Sequence, residues 1–509
     1  MSSRTVLLTL LIITSAVVAH GVLPREALLI WTGLALFFVA CSPLEEGLTL
    51  FLSAMPILPA LTLGASDNLN AWIFLIPVLG IRAWLERPAR PSNRMSPDTP
   101  AAKRLVIGAH LLLIVAALSV LIAADRTFAL ERLLFLVLTL LLAAIVGTHI
   151  GRGGKREVLT RALCTGIVIV VLIGFLQLVL VKTLGLNTFW SFWALSVIPM
   201  LFGEALSQVL LVSNSWFAFL PAQPPTLRMF SVFPDSHSFA MWLIMGIPLV
   251  LLGATNTAAR ARQRWRWWAL VIAVLLGIIL SGSRGTWISA LPVLAAALVF
   301  LPQTLRRWWP TLSQYISRRH AGIVAATLIL FFALFPAASL LLKLASNQRT
   351  SSEIIYERAL TITDISEISN QGRLRIWKTT LAAIAHRPVL GVGLGNYPLI
   401  LEQSPRESKK GSSAHNLYLQ LTAELGLLGL GAFLWLGWTA LRESLRRSAK
   451  MPQAQLAGFV GAFLFWAAGY SMFDVVLLQS RVWLLTLALI MLALWPSGKT
   501  QPQPAIEHP

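Results

Sequence analysis

The chain has 509 residues, of which 56% are hydrophobic and only 12% are charged. Soluble domains carry about 25% charged residues, so this composition excludes a soluble globule, a disordered chain and a disulfide scaffold. A polytopic membrane protein remains. The formal net charge of +20 would suggest a nucleic-acid partner in a soluble protein, so the positions of the charges decide its meaning.

Apolar runs recur along the whole chain. A helix needs roughly 20 apolar residues to cross a bilayer, and this length predicts about 14 transmembrane helices, within a range of about 12 to 14. The first run, from Thr5 to Leu23, is interpreted as an uncleaved helix rather than a signal peptide, because further runs follow at once. Cys41 and Cys164 both lie inside apolar runs, so neither a disulfide nor a metal site is expected there. The predicted helices start near residues 5, 27, 47, 69, 105, 133, 162, 238, 267, 286, 321, 418, 453 and 481.

Basic residues cluster between these runs and predict their direction. Twenty-one of the 41 Lys and Arg residues lie in five segments, 86–104, 151–161, 255–266, 303–320 and 441–452. The positive-inside rule places these segments in the cytoplasm. An even number of predicted helices separates each consecutive pair, so both termini are also predicted to be cytoplasmic. Most of the net charge then reports topology, which argues against a nucleic acid as partner.

Two long connections fall on the opposite face of the membrane. The first, about 183–237, is expected to contain interfacial or re-entrant helices, and the second, about 343–416, holds ten basic and six acidic residues. Function is expected at this face, because these connections are the only long segments of soluble character. The predicted organisation is an N-terminal transmembrane bundle (1–182), a first outer loop (183–237), further transmembrane helices (238–342), a large outer loop (343–416), C-terminal transmembrane helices (417–496) and a cytoplasmic tail (497–509).

Three arginines at this face are candidates for binding an anion. Arg228, Arg284 and Arg375 are permanent cations, and the planar guanidinium group matches phosphate oxygens two at a time. If the three converge, they can bind a diphosphate without a metal ion. The alternative is that each reaches lipid head groups or pairs with a local carboxylate. Arg284 is the strongest candidate, since it lies in a predicted turn of about three residues between two apolar helices, where a charge is costly.

His415 is predicted to begin the helix that re-enters the membrane after the large outer loop. Imidazole titrates near neutrality, so it can accept a proton from an attacking hydroxyl, although a lone histidine more often caps a helix or faces water. His237 and His386 are weaker candidates. Glu424 lies inside the twelfth predicted span and is expected to pair with Arg284 or to bond to a backbone turn. Asp474 is expected in the loop between the last two helices.

The stretch Gly391–Gly395 looks like a nucleotide-binding loop but follows no βαβ strand, so it is interpreted as a tight surface turn. Its backbone N–H groups are candidates for contacting an anion. The sequence contains no HExxH motif, no Cys/His set, no paired carboxylates of the DxD type and no Walker motif. Neither a metal ion nor another cofactor is therefore predicted.

Four polar stretches, in their order, resemble the O-antigen ligase/polymerase superfamily of bacterial inner-membrane proteins. They cover about 228–480, roughly half of the chain. Two details depart from the family pattern: Asp235 stands where asparagine is usual, and His386 replaces a commoner acidic residue. The phrases that carry the resemblance are Arg228…Phe233-Pro-Asp-Ser236, Ser283-Arg-Gly285, Gly372-Arg-Leu-Arg-Ile-Trp377 with Arg387-Pro…Gly391-Val-Gly-Leu-Gly-Asn396, and His415-Asn-Leu-Tyr-Leu…Glu424-Leu-Gly426.

This resemblance implies a metal-independent, inverting glycosyltransferase in the inner membrane. The donor would be a glycan on an undecaprenyl-diphosphate carrier at the periplasmic face. The acceptor would be lipid A–core in a ligase or another carrier-linked glycan in a polymerase, with other polysaccharide-assembly proteins as further partners. The implied and predicted site comprises catalytic His415 and Arg284, diphosphate-binding Arg228, Arg284, Arg373 and Arg375, and supporting Asn416, Glu424 and Asp474.

Two other classes of protein are alternatives. A transporter or flippase of a lipid-linked or small anionic solute fits a protein of about 14 spans. Transporters, however, usually carry polar groups near the middle of the membrane, whereas most of these predicted spans are apolar throughout. A structural scaffold would leave the arginines and His415 without a role. Ligase and polymerase both stay open.

Overall fold

The computed structural model describes ten ranges of the chain. Parts of several connections and the predicted cytoplasmic tail, 497–509, lie outside the described residues. The described ranges are 2–63, 66–86, 99–211, 216–218, 225–256, 260–302, 317–346, 368–403, 413–450 and 455–496.

The N-terminal part consists of seven helices rich in Leu, Ile, Val and Ala. Thr99 and Asp125 begin two of them, because each side chain accepts a hydrogen bond from a backbone N–H group three residues later. The seven helices are α1 (Ser3–Ala19), α2 (Ala27–Cys41), α3 (Leu44–Ala54), α4 (Trp72–Leu85), α5 (Pro100–Ile122), α6 (Arg126–Gly151) and α7 (Arg156–Leu184).

A small β-hairpin interrupts the helices where the fourth span is predicted to begin. Strands β1 (Ala60–Leu63) and β2 (Ser66–Asn70) pair antiparallel, and α4 begins only at Trp72. The preceding helix α3 has 11 residues and is buried throughout Gly47–Ala54. A helix of this length does not cross a bilayer by itself.

The first outer loop contains short helices, as predicted. They are α8 (Leu186–Phe202) and α9 (Glu204–Leu211). A second two-stranded sheet follows, in which β3 (Phe217–Ala218) pairs with β4 (Thr226–Leu227). This loop returns the chain to the bundle just before Arg228.

The C-terminal part builds the centre of the molecule. Helix α10 is almost wholly enclosed by other helices, and its Trp242 is fully buried, as is Trp466 in α17. Helices α13 and α14 form a pair bent by 40°, and α16 is interrupted at Gly426. The helices are α10 (Ser236–Ala254), α11 (Ala261–Leu280), α12 (Arg284–Val299), α13 (Arg318–Ala333), α14 (Phe335–Ala345), α15 (Ile368–His386), α16 (Leu417–Lys450), α17 (Gln455–Tyr470) and α18 (Ser480–Leu494).

The helical membrane class is confirmed, but the count of 14 spans is not. Six helices in the described part of the chain are long and apolar enough to cross a membrane, or seven if the bent pair α13–α14 forms one span. The 14 predicted starts fall within or just before helices, yet α1, α2, α4, α12, α17 and α18 have only 14 to 17 residues. Apolar composition therefore located the helices, and the number of spans stays a prediction beyond these six or seven.

One end of the bundle gathers basic segments. Arg156 at the start of α7 donates to the backbone carbonyl of Trp495, just after α18. The backbone N–H of Lys155 donates to Glu45 at the start of α3 (3.3 Å). Arg4 in α1 lies 3.2 Å from Glu46. The beginning of α1 and the end of α18 thus lie at the same end as the segment 151–161.

The opposite end, called the outer end below, carries two turns. Helix α11 leads away from the basic segment 255–266 and ends at the turn 281–283, and α17 leads away from 441–452 and ends at the loop 471–479. The predicted three-residue turn before Arg284 is confirmed. The polar stretches singled out from the sequence therefore meet at the end farthest from the basic segments.

Candidate functional site

The stretch before α10 is fixed to the outer end by its backbone. The N–H of Arg228 donates to the carbonyl of Trp216 (2.8 Å), and the N–H of Met229 donates to the carbonyl of Leu280 (2.9 Å) at the end of α11. Asp235 then caps α10, since its carboxylate accepts a hydrogen bond from the backbone N–H of Ser238 (2.8 Å). The carboxylate in place of the family's usual asparagine thus has a local structural role.

Arg228 is buried and oriented by two acceptors. Its Nε donates to the carbonyl of Ser281 (2.9 Å), and one of its terminal nitrogens lies 3.1 Å from Nε2 of His237. Burial lowers the pKa of Arg228 to about 10, while neighbouring acidic groups oppose this shift. The guanidinium therefore still carries its charge at neutral pH.

Three oxygens face the other nitrogen of the His237 ring. Nδ1 lies 2.9 Å from the Tyr470 hydroxyl, 3.0 Å from Oγ of Ser283 and 3.3 Å from Oδ2 of Asp474. The Ser283 and Tyr470 hydroxyls are themselves hydrogen-bonded at 2.7 Å. His237 consequently joins α10, the turn 281–283 and the loop after α17.

Asp474 lies in the loop between α17 and α18, as predicted. Its carboxylate accepts a hydrogen bond from the N–H of Val475 (2.8 Å). Burial raises the pKa of Asp474, whereas electrostatic interactions with His415 and, more weakly, with Arg373 lower it. Asp474 is thus coupled to the large outer loop and to the segment before α16.

His415 occupies a strained position directly before α16. Its φ is +47°, a conformation that few residues other than glycine and asparagine adopt easily. The next residue, Asn416, caps the helix, because its side-chain oxygen accepts hydrogen bonds from the N–H groups of Tyr418 (3.0 Å) and Leu419 (3.1 Å). Asn416 thus begins the helix that follows His415, and its supporting role in the site stays a prediction.

Two further contacts hold the His415 segment in place. The N–H of Leu417 donates to the carbonyl of Ser471 (2.8 Å) at the end of α17. On the other side, the indole N–H of Trp377 in α15 donates to the carbonyl of Ala414 (2.8 Å). His415 is therefore positioned by the C-terminal bundle and the large outer loop together.

The remaining arginines differ in their placement. Arg284 begins α12, and its charge further lowers the pKa of Arg228, so the two cations lie near each other. Arg373 in α15 acts electrostatically on Asp474. Arg375 lies about 200° farther around the same helix and is exposed. Among the described residues no contact joins Arg375 to the cluster, so its role in binding stays a prediction.

The glycine-rich stretch 391–395 packs against α16. The N–H groups of Val392 and Gly393 donate to backbone carbonyls of that helix (2.8 and 3.0 Å), and the N–H of Gly395 donates to the Glu424 carboxylate (2.9 Å). The prediction of a surface turn offering these N–H groups to an anion is wrong, because all three are bonded within the protein. Glu424 bonds to a backbone turn, which was one of its two predicted roles.

Gly426 lies where this loop inserts into α16. Its φ of +67° breaks the helix, and a Cβ atom there would overlap the carbonyl of Val389. The N–H of Leu427, left without a helical partner, donates to the carbonyl of Pro388 (2.8 Å). A glycine is therefore required where the two segments touch.

Several residues of the outer end were not selected from the sequence. His237 was only a weak candidate, and Ser283 and Tyr470 were given no role, since hydroxyls inside apolar runs carry no spacing signal. Arg481 is fully buried, and an arginine inside an apolar run was a signal that could have found it. It donates to the carbonyls of Val232, Leu58 and Leu201.

The described residues were compared with the requirements of a metal site and of a disulfide. No set of three or more His, Cys, Asp or Glu side chains is placed there to hold a metal ion. Cys41 and Cys164 are both free thiols.

The fold and this cluster define a helical membrane protein with cations, a histidine and a carboxylate gathered at one end. Residues 268–434 match the family model described as O-antigen ligase. The resemblance to the O-antigen ligase/polymerase superfamily is thereby confirmed for this third of the chain. The matched part includes Arg284, Arg373 and His415, whereas Arg228 and Asp474 lie outside it. No curated protein matches the chain.

Proposed function

We propose that this protein transfers or polymerises a glycan from an undecaprenyl-diphosphate-linked donor at the periplasmic face of the bacterial inner membrane. The observation that carries the proposal is the cluster at the outer end. The buried Asp474 interacts electrostatically with His415 and Arg373, and Arg228 interacts in the same way with Asp474 and Arg284. The acceptor is a second lipid- or glycan-linked sugar.

The cations suit a diphosphate leaving group. The charge of Arg284 disfavours that of the buried Arg228, a cost that a bound anion offsets. Arg284 also begins α12, where the helix dipole favours negative charge. As the sugar–phosphate bond breaks, negative charge grows on the leaving oxygen, and fixed cations stabilise it.

The histidine suits the acceptor. In the proposed reaction His415 accepts the proton of the acceptor hydroxyl while that oxygen attacks the anomeric carbon. The bond between this carbon and the phosphate oxygen breaks, and its electron pair leaves with the diphosphate, which inverts the anomeric centre. Asp474 stabilises the imidazolium that forms, as a carboxylate does beside a catalytic histidine. The lipid-linked donor supplies the energy, so the reaction needs no cofactor.

Charge supports the periplasmic assignment. The basic segments 151–161, 255–266 and 441–452 lie at helix ends opposite to the cluster. By the positive-inside rule these segments are cytoplasmic, together with both termini. The cluster then faces the periplasm.

An apolar cavity supports a lipid-linked donor. It has a volume of about 670 Å³ and lies between α5, α6, α16, α17 and α18. Tyr418 and Ser471 line it next to the His415 segment, and Leu441 and Trp495 line it near the basic end. The α18 part of its lining, from Trp483 to Met491, extends about 12 Å along the helix. A polyprenyl tail of the donor fits such a channel.

Filling this cavity is expected to weaken donor binding. Gly437→Leu on α16 places a side chain in the cavity and displaces at least two methylenes of the tail, worth about 0.8 kcal/mol each. The KM for the long-tailed donor is then expected to rise about tenfold. The KM for a donor with a short prenyl tail is expected to stay unchanged.

Gly431→Leu is the matched control for the cavity. Gly431 lies on the same helix, is exposed and does not line the cavity. Equal effects of the two substitutions on long- and short-tailed donors would contradict the proposed tail site.

The transfer itself is tested with purified protein in detergent. A polyprenyl-diphosphate-linked glycan and a glycan-lipid acceptor are expected to yield the extended product in the absence of any gradient. Arg284→Ala is expected to lower the rate about 10²- to 10³-fold, as loss of one group that stabilises developing charge does. Arg264→Ala, at the other end of α11, serves as control. Movement of the donor across vesicles without product would support a flippase and overturn the proposal.

A further inference from the structure

We propose that His237 is a positioning residue that orients Arg228 toward the diphosphate of the donor. The inference rests on the proposed function, since it assigns a role within the same site. It adds a residue that lies outside the matched part of the chain, 268–434. Three structural arguments support it.

The protonation state of the ring follows from its neighbour. A guanidinium group only donates hydrogen bonds, so Nε2 of His237, 3.1 Å from Arg228, must accept. The neutral ring then carries its proton on Nδ1. His237 therefore presents a lone pair to Arg228 and an N–H to the other side of the cluster.

Oxygen atoms from several segments stabilise the tautomer of His237 that is protonated on Nδ1. Nδ1–H faces the hydroxyls of Ser283 and Tyr470 and the carboxylate of Asp474, all within 3.3 Å. These oxygens belong to the turn 281–283, the end of α17 and the loop after it. Because these contacts restrict rotation of the imidazole ring, the lone pair on Nε2 stays directed at Arg228.

The same geometry restricts Arg228. Its Nε is bonded to the carbonyl of Ser281, and its terminal nitrogen to His237, so both ends of one edge of the guanidinium are fixed. Because the group is planar, its remaining N–H bonds then point in one set direction. Paired recognition of phosphate oxygens depends on that direction. His237 itself, with 21% of its side chain exposed, acts through Arg228.

Two isosteric substitutions test this role. In His237→Gln the side-chain oxygen can reach the position of Nε2 and accept from Arg228. In His237→Asn the shorter amide reaches only the Nδ1 position and retains the contacts to the hydroxyls. A purely structural role of His237 would be served better by Asn, whereas a positioning role is served better by Gln.

The first measurement is the affinity of purified full-length protein for farnesyl diphosphate, a short prenyl diphosphate without sugar. We expect His237→Asn to raise the Kd about tenfold and His237→Gln to leave it within about threefold of wild type. In the transfer reaction, kcat is expected to fall with His237→Asn while the KM for the acceptor stays unchanged. His386→Asn, an exposed histidine at the end of α15, is the control.

A double variant completes the test. If His237 acts through Arg228, then Arg228→Lys combined with His237→Asn is expected to weaken binding no more than Arg228→Lys alone. Independent, multiplicative effects would overturn the inference, as would equal losses in the Gln and Asn variants or no binding by wild type. Normal binding effects without glycan transfer would leave the inference standing and overturn the proposed function.

Discussion

Replacing His415 with asparagine is expected to lower the rate of glycan transfer about 10²- to 10⁴-fold while the protein stays folded in the membrane. General-base catalysis by a positioned side chain contributes a factor of about this size. Asparagine is the informative substitution because it tolerates the positive φ of +47° at this position and cannot accept the proton. The measurement is the initial rate with purified protein and a saturating lipid-linked donor.

Two further variants separate chemistry from folding at His415. His415→Ala is expected to lose at least as much activity, with some additional loss of stability from the strained backbone. His386→Ala, in an exposed position at the end of α15, is expected to leave the rate unchanged. A His415→Asn protein that transfers glycan at a rate within twofold of wild type would remove His415 from the catalytic role.

Gly426→Ala is expected to lower the midpoint of thermal unfolding by several degrees and to reduce transfer as well. The positive φ of this residue alone costs an alanine about 1–2 kcal/mol. The added Cβ would also overlap the Val389 carbonyl, so the loop 388–395 must move away from α16. That movement disturbs the hydrogen bonds of Gly395 and Glu424, and with them the helix that begins after His415. Thermal unfolding in detergent and the transfer rate measure the two effects.

Gly431→Ala is the control for this substitution. Gly431 lies five residues farther along the same helix, and a Cβ atom there would meet nothing within 4 Å. Both its unfolding midpoint and its transfer rate are expected to match wild type. If Gly426→Ala and Gly431→Ala unfold at the same temperature, the close approach of the loop to α16 does not stabilise the protein.

Local features of the sequence were sufficient for the helical membrane class and for the positions of several residues relative to the helices. Apolar runs predict helices because hydropathy is a sum over neighbouring residues. A three-residue turn was correctly predicted next to Arg284, which directly follows it as the first residue of α12, and Asp474 was placed correctly in the last loop, for the same reason. The basic segments predict orientation because each lies next to the helix that it orients.

Contacts between residues that are far apart in the sequence became apparent only in the tertiary structure. His237 and Tyr470 are 233 positions apart, and no local pattern indicates that they touch. The N–H groups of the loop 391–395 point to α16 rather than to an anion, since only packing determines which acceptor they meet. Arg373 interacts electrostatically with Asp474 while Arg375 is exposed, because the direction in which α15 docks selects one side of the helix.

The net charge and the number of spans also separate what the sequence predicts from what only the tertiary structure shows. The sequence by itself determined that this is a helical membrane protein, and it predicts that most of the excess of basic residues reports topology. The structure decided that α3 and α10 are enclosed by other helices and that six or seven spans in the described part of the chain satisfy length and composition. Hydropathy is the same for an apolar helix in lipid and one surrounded by protein, so only the arrangement of the neighbouring helices distinguishes them.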